Sequence, residues 1–100
     1  MFVHIFAFKW KDAATAAHVD AAVRAVVAFR GVVDGLSDVF IGSNVSDNAP
    51  EYTTTAAMMF ASRQAYDAYV VHPAHVALLD WLVPLIDPIE LDFEAVIQDA

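Results

Sequence analysis

Residues 2–10, Phe2-Val3-His4-Ile5-Phe6-Ala7-Phe8-Lys9-Trp10, alternate with a period of two. His4, Phe6, Phe8 and Trp10 share one face, and Val3, Ile5 and Ala7 share the other. Successive side chains of a strand point to opposite sides, so this segment is a strand that wants cover on both faces. A chain of 100 residues is about one small domain. Such a domain readily covers one face of a sheet with its own helices. Its apolar fraction of 59% supplies the core and rules out a disordered chain.

Polar breaks divide the rest. Asp12 or Thr15 caps a helix reaching about Val33, with Val19, Val23, Val26, Phe29 or Arg30, and Val33 as its apolar stripe. Asp20 and Arg24 sit at i,i+4 on its wet side. Residues 36–45 read as a second strand, and Asp47-Asn48-Ala49-Pro50 as a turn. Residues 52–60 form a third strand, helped by the β-branched Thr53, Thr54 and Thr55. Ser62 caps a second helix with Ala65, Tyr66, Tyr69 and Val70 on one face. His72-Pro73 breaks it, because a residue before proline avoids the α region. Pro73 suits the first turn of a new helix carrying Val76, Leu79, Leu82 and Val83, which Pro84 ends. Residues 89–97 form a last strand, apolar on one face (Ile89, Leu91, Phe93, Ala95, Ile97) and acidic on the other (Glu90, Asp92, Glu94).

The order β-α-β-β-α-β is that of a ferredoxin-like α+β protomer, a four-stranded antiparallel sheet with helices on one face. Val3, Ile5 and Ala7 then form a bare apolar patch, which a second copy covers by pairing sheet to sheet across a two-fold axis. A homodimer through the sheet face is therefore expected. The net charge of −8 argues against nucleic acid and anionic membranes, which need clustered cations. Without cysteine there are no disulfides and no thiolate chemistry. Residues 1–8 are apolar with no basic residue before them, and no apolar run approaches the roughly 18 residues that span a bilayer. The expectation is a soluble, cytoplasmic single domain over residues 1–100.

Three segments carry a resemblance: Phe8-Lys9-Trp10-Lys11-Asp12, Gly42-Ser43-Asn44-Val45-Ser46, and Tyr66-Asp67-Ala68-Tyr69-Val70-Val71-His72-Pro73-Ala74-His75. Together they resemble the stress-responsive dimeric α/β-barrel (Dabb) family, over residues 1–93. The most specific part is His-Pro-Ala-His with a tyrosine three residues before it. The resemblance implies a ferredoxin-like protomer and a dimer whose two sheets form a barrel. The family includes plant stress proteins, bacterial proteins of unassigned activity, and a plant polyketide cyclase that closes a ring by aldol condensation without a cofactor. Carried over by motif, the catalytic pair is Tyr69 and His75, and His4 matches the histidine of the first strand. The cyclase has a histidine where this chain has Thr54, and a tyrosine where it has Val26.

The chemistry is coherent on these residues. Neutral imidazole is a suitable base for a proton between carbonyls. His75, in the first turn of its helix, is kept neutral by the positive helix end. Tyr69 offers a phenolic O–H to an oxyanion. The expected cavity is floored by Phe6, Phe8, Ala56 and Met58, roofed by Val23, Val26 and Phe29, and edged by His4, Thr54 and His72. Structural alternatives stand beside these roles. Tyr69 serves as a core aromatic, His75 as a helix-start or packing residue, His4 as a satisfied core histidine, His72 as a tie from the helix break to nearby carbonyls, and His18 as a surface residue. Metal binding by His72 and His75 at i,i+3, or by the Glu90, Asp92, Glu94 ladder, is a weaker reading, and no metal or cofactor is expected. Three functions remain open: a small-molecule-binding barrel of unassigned activity for an apolar or keto ligand, a cofactor-independent cyclase-like enzyme, and a cofactor-independent monooxygenase.

Overall fold

The computed structural model describes residues 1–96. The elements run β1 (Phe2–Trp10), α1 (Ala16–Ala28), β2 (Leu36–Ser43), β3 (Thr54–Phe60), α2 (Arg63–Val70), α3 (Pro73–Leu82), a single 3-10 turn (Val83–Leu85) and β4 (Ile86–Glu94). The sheet is antiparallel with strand order β2-β3-β1-β4. This is the ferredoxin-like arrangement, with β1 central and doubly paired.

Each helix start has a chemical reason. Thr15 caps α1, its hydroxyl accepting from the His18 N–H while the His18 ring accepts from the Thr15 N–H. His18 therefore closes a capping box and stacks near Trp81, and is not the plain surface residue expected. Ser62 caps α2 by accepting from the Ala65 N–H at 3.1 Å. His72 caps α3, with Pro73 at its first position.

Several boundaries differ from the sequence reading. Helix α1 ends at Ala28, short of Val33. The N–H groups of Val32 and Val33 both return to the Phe29 carbonyl, and Gly31 takes a left-handed φ of 87°. Phe29 and Val33 still reach the core from this turn. Strand β2 stops at Ser43, because Asn44 turns to the loop, donating to the Ala49 carbonyl and accepting from the Ser46 N–H. Strand β3 begins at Thr54, after Tyr52 has turned back to bond Ala49. Strand β4 begins at Ile86 and passes through Pro88. The strand lies at the sheet edge, paired only with β1, where a proline costs no second ladder. It ends at Glu94, and Ile97, expected in it, lies outside the described residues.

The register assigns the two faces. Toward the helices, Phe6 pairs with Ala56 on one side and Glu90 on the other. Away from the helices, Phe40, Ala57, Ile5 and Leu91 form a row across all four strands. The core lies between sheet and helices, with Phe60, Met58, Leu82 and Val26 as its most deeply buried large side chains. On the opposite face Phe40, Ile89, Leu91 and Phe93 are exposed. Among the described residues no single helix is long and apolar enough to cross a bilayer.

Candidate active site

A cavity of about 210 Å³ lies under α3, over the β1–β4 half of the sheet. Phe6 and Phe8 from β1 form its floor, and Leu78, Leu79 and Leu82 from α3 form a wall. Polar groups are few: His4, Tyr69, His75 and Glu90.

Tyr69 and His75 sit on either side of the break at His72-Pro73, where the chain bends by 57° between the two helices. The two ring centroids are 4.2 Å apart. Phe29 and Phe60 pack on Tyr69 from behind, at 5.5 and 5.2 Å between centroids. Tyr69 is only 3% exposed. That burial pushes its phenol pKa well up, so the hydroxyl keeps its proton. Among the described residues no sealed side-chain polar atom lacks a partner. The Tyr69 hydroxyl bonds none of these residues and so is not sealed off, and Tyr69 lines the cavity.

His75 is the third residue of α3 and lies 2.9 Å through Nδ1 from the Val70 carbonyl. A carbonyl only accepts, so Nδ1 carries the hydrogen and Nε2 keeps a free lone pair. Desolvation lowers the His75 pKa from its ordinary 6.5, with the Val70 bond working against it. The imidazole is therefore neutral at pH 7, and the positive end of α3 favours the same state. A protonated phenol thus lies against a neutral imidazole, and both line the same cavity.

His4 holds the far side. It is 3% exposed, with Nδ1 bonded to the Asp92 carboxylate. Its Nε2 lies 4.0 Å from Glu90 Oε1, too far for a direct bond. The acidic face of β4 is therefore turned toward the helices beside β1, with Glu90 lining the cavity.

The other expected residues are placed elsewhere. Val26 lines the cavity, but Val23 does not, being half-buried along α1. Phe29 supports Tyr69 and His75 from outside it. Ala56 and Met58 lie on β3, on the other side of β1, and are packed into the core. Thr54 is buried and accepts from Trp10 Nε1 at 2.9 Å. His72 accepts the Ala74 N–H at 3.1 Å, so its imidazole caps α3 through an N–H and not through carbonyls. The described residues hold no group of three or more side chains placed to share a metal ion.

The α3 wall was missed, although its signal is in the sequence. Leu78, Leu79 and Leu82 follow His75 at three, four and seven positions, which puts them on its face. Glu90 required knowing that β4 turns its charged face inward.

A sheet backed by helices, with a phenol–imidazole pair beside an apolar cavity, defines a ferredoxin-like protein. The Stress responsive A/B Barrel Domain (Dabb) family matches residues 2–95, and the chain belongs to it. It is 29% identical to olivetolic acid cyclase of Cannabis sativa over 79 residues, covering 77% of this chain and 78% of the cyclase. Among solved structures it is similar to a dimeric ferredoxin-like protein of unknown function from Thermobifida fusca. That match has a TM-score of 0.81 and 23% identity, covering 94% of this chain and 90% of the other. A hydroxynitrile lyase from Passiflora edulis shares the fold at a TM-score of 0.80 and 12% identity, covering 99% and 96%.

Proposed function

We propose that the protein takes a small, mainly apolar ketone into the α3 cavity and moves a proton on the carbon next to the carbonyl. Tyr69 donates to the carbonyl oxygen and stabilises the enolate. His75 Nε2 accepts the proton and can return it, so the step needs no redox partner and no cofactor. The carrying observation is the 4.2 Å ring approach of Tyr69 and His75 on a mostly apolar wall, with His75 Nδ1 held at Val70. The likeness to a cyclase supports this chemistry over simple binding.

The test is hydrogen–deuterium exchange of the acetophenone methyl group in D2O, followed by NMR. Wild-type protein accelerates exchange over buffer, and His75→Ala and Tyr69→Phe each lose about a hundredfold of that acceleration. A folded wild-type protein that binds acetophenone without accelerating exchange refutes the proton-transfer step and leaves only binding.

The working unit in this reading is a homodimer. The row Phe40, Ile5, Leu91, exposed at Phe40 and Leu91 and half-buried at Ile5, belongs to an apolar face the protomer leaves uncovered, and the similar Thermobifida fusca protein is described as dimeric. Two such faces pack against each other as sheet on sheet.

A further inference from the structure

Among the described residues Glu90 is the only carboxylate that lines the cavity, and no lysine or arginine lines it. Beside Glu90 stands the buried His4, whose Nδ1 is committed to Asp92 and whose Nε2 is left facing the cavity. Because Asp92 accepts, Nδ1 carries a hydrogen, and Nε2 is the ring atom on the Glu90 side. Glu90 and His4 Nε2 are 4.0 Å apart. The Glu90 carboxylate thus stands as an acceptor, beside the imidazole, for one incoming group. The opposite wall, Tyr69 and His75, handles a carbonyl in the reading above, and the present inference rests on that reading.

We propose that Glu90 and His4 form a substrate-selecting end of the cavity, which takes a hydrogen-bond-donating group, hydroxyl or ammonium, and rejects carboxylates. The ligand class is then a compact apolar ketone with a donor group at the end remote from the carbonyl. The volume fits such a molecule. An apolar cavity of about 150 Å³ admits benzene, and about 210 Å³ leaves room for a ring with two small substituents. A carboxylate there would face Glu90 with no lysine or arginine among the described lining residues to offset it. The cost is moderate because the Glu90 side chain is 60% exposed and water screens it.

Four acetophenones with different para groups test this: unsubstituted, hydroxyl, aminomethyl and carboxylate. Affinities are measured by NMR titration on wild type, Glu90→Gln and Glu90→Lys. Glu90 lies on an exposed edge strand, so both variants are expected to fold, and circular dichroism checks it. In wild type the hydroxyl and aminomethyl ketones bind about fivefold or more tighter than the carboxylate. Glu90→Gln removes the aminomethyl preference, while the hydroxyl ketone keeps most of its affinity. Glu90→Lys inverts the order in favour of the carboxylate. Raised salt weakens only the aminomethyl ketone, which separates charge from hydrogen bonding as the source of recognition. If acetophenone binds but the ranking of the four ketones is the same in all three proteins, the inference falls and the carbonyl site stands. If no ketone binds wild type, the carbonyl reading fails and this inference fails with it.

Discussion

Tyr69 and His75 bring their ring centroids within 4.2 Å, tilted by 32°, only because the helix between them is broken. Residues six apart on an unbroken helix stand about 120° apart around its axis. The 57° bend at His72-Pro73 turns the two rings onto one cavity. The same break makes His72 a cap, its ring accepting the Ala74 N–H, so His72 acts on the geometry and not on the ligand.

Tyr69→Phe tests the phenol apart from the packing. The ring keeps its contacts with Phe29, Phe60 and His75, and no hydrogen bond to a described residue is lost. Stability to urea should change by less than about 1 kcal/mol, while affinity for acetophenone falls about five- to tenfold, the value of one hydrogen bond. Tyr69→Ala should instead cost about 3–5 kcal/mol in the same urea experiment, because it empties a buried aromatic site.

The pH dependence follows from His75. Its pKa is lowered below 6.5 by desolvation, so the base is neutral and active above that range. The acid limb of acetophenone exchange should therefore have its midpoint below pH 6.5, matching the His75 ring-proton titration by NMR. The same shift affects stability. Between the lowered native value and the unfolded 6.5, the unfolded chain binds more protons at this site than the native one. Stability from this group rises with pH across that window and is lost as pH falls through it. In His75→Asn this part of the slope should disappear from urea unfolding measured at successive pH values.

Alternation and breaks made the sheet and helices legible, because strand β1, the caps at Thr15 and Ser62, and the break at His72-Pro73 are local signals. Strand β4 was less so. Its start was set at Ile89 because Pro88 looks like a stop, and only the sheet order reveals an edge where proline is tolerated. The site was legible where a motif carried it, at Tyr69, His75 and His4. Its walls were not, since Ala56 and Met58 share a face with Phe6 and Phe8 but lie toward β3, away from the cavity. Which half of a sheet a helix covers is a tertiary fact. The inward turn of Glu90 and Asp92 is another, because alternation says that a face is charged without saying which way it points.

Leu91→Asp tests the sheet-face dimer. Leu91 is 59% exposed and lies beside Ile5 in the apolar row. A carboxylate there would be buried unpaired against a second copy, a change that costs several kcal/mol per interface. Wild type should sediment as a dimer at micromolar concentration, and Leu91→Asp as a folded monomer. A wild type that is monomeric at high concentration, or a variant that stays dimeric, would move the interface elsewhere.

The two glycines at the end of α1 and the start of β2 should respond unequally to alanine. Both have positive φ, 87° at Gly31 and 80° at Gly35, so each substitution carries the left-handed strain of about 1–2 kcal/mol. At Gly31 an added Cβ meets nothing within 4 Å, and strain is the whole effect. At Gly35 it would stand 2.6 Å from the Cβ of Ala65 on α2. Relieving that clash requires α2 to shift, and Ala65 accepts little movement because its N–H is bonded to the Ser62 cap. Gly35→Ala should therefore lose at least about 3 kcal/mol, strain and overpacking together. Because α2 also carries Tyr69, that variant should bind acetophenone more weakly even where it remains folded. Gly31→Ala should bind normally. Paired urea melts and NMR titrations of the two variants distinguish a shift of α2 from a loss of stability alone.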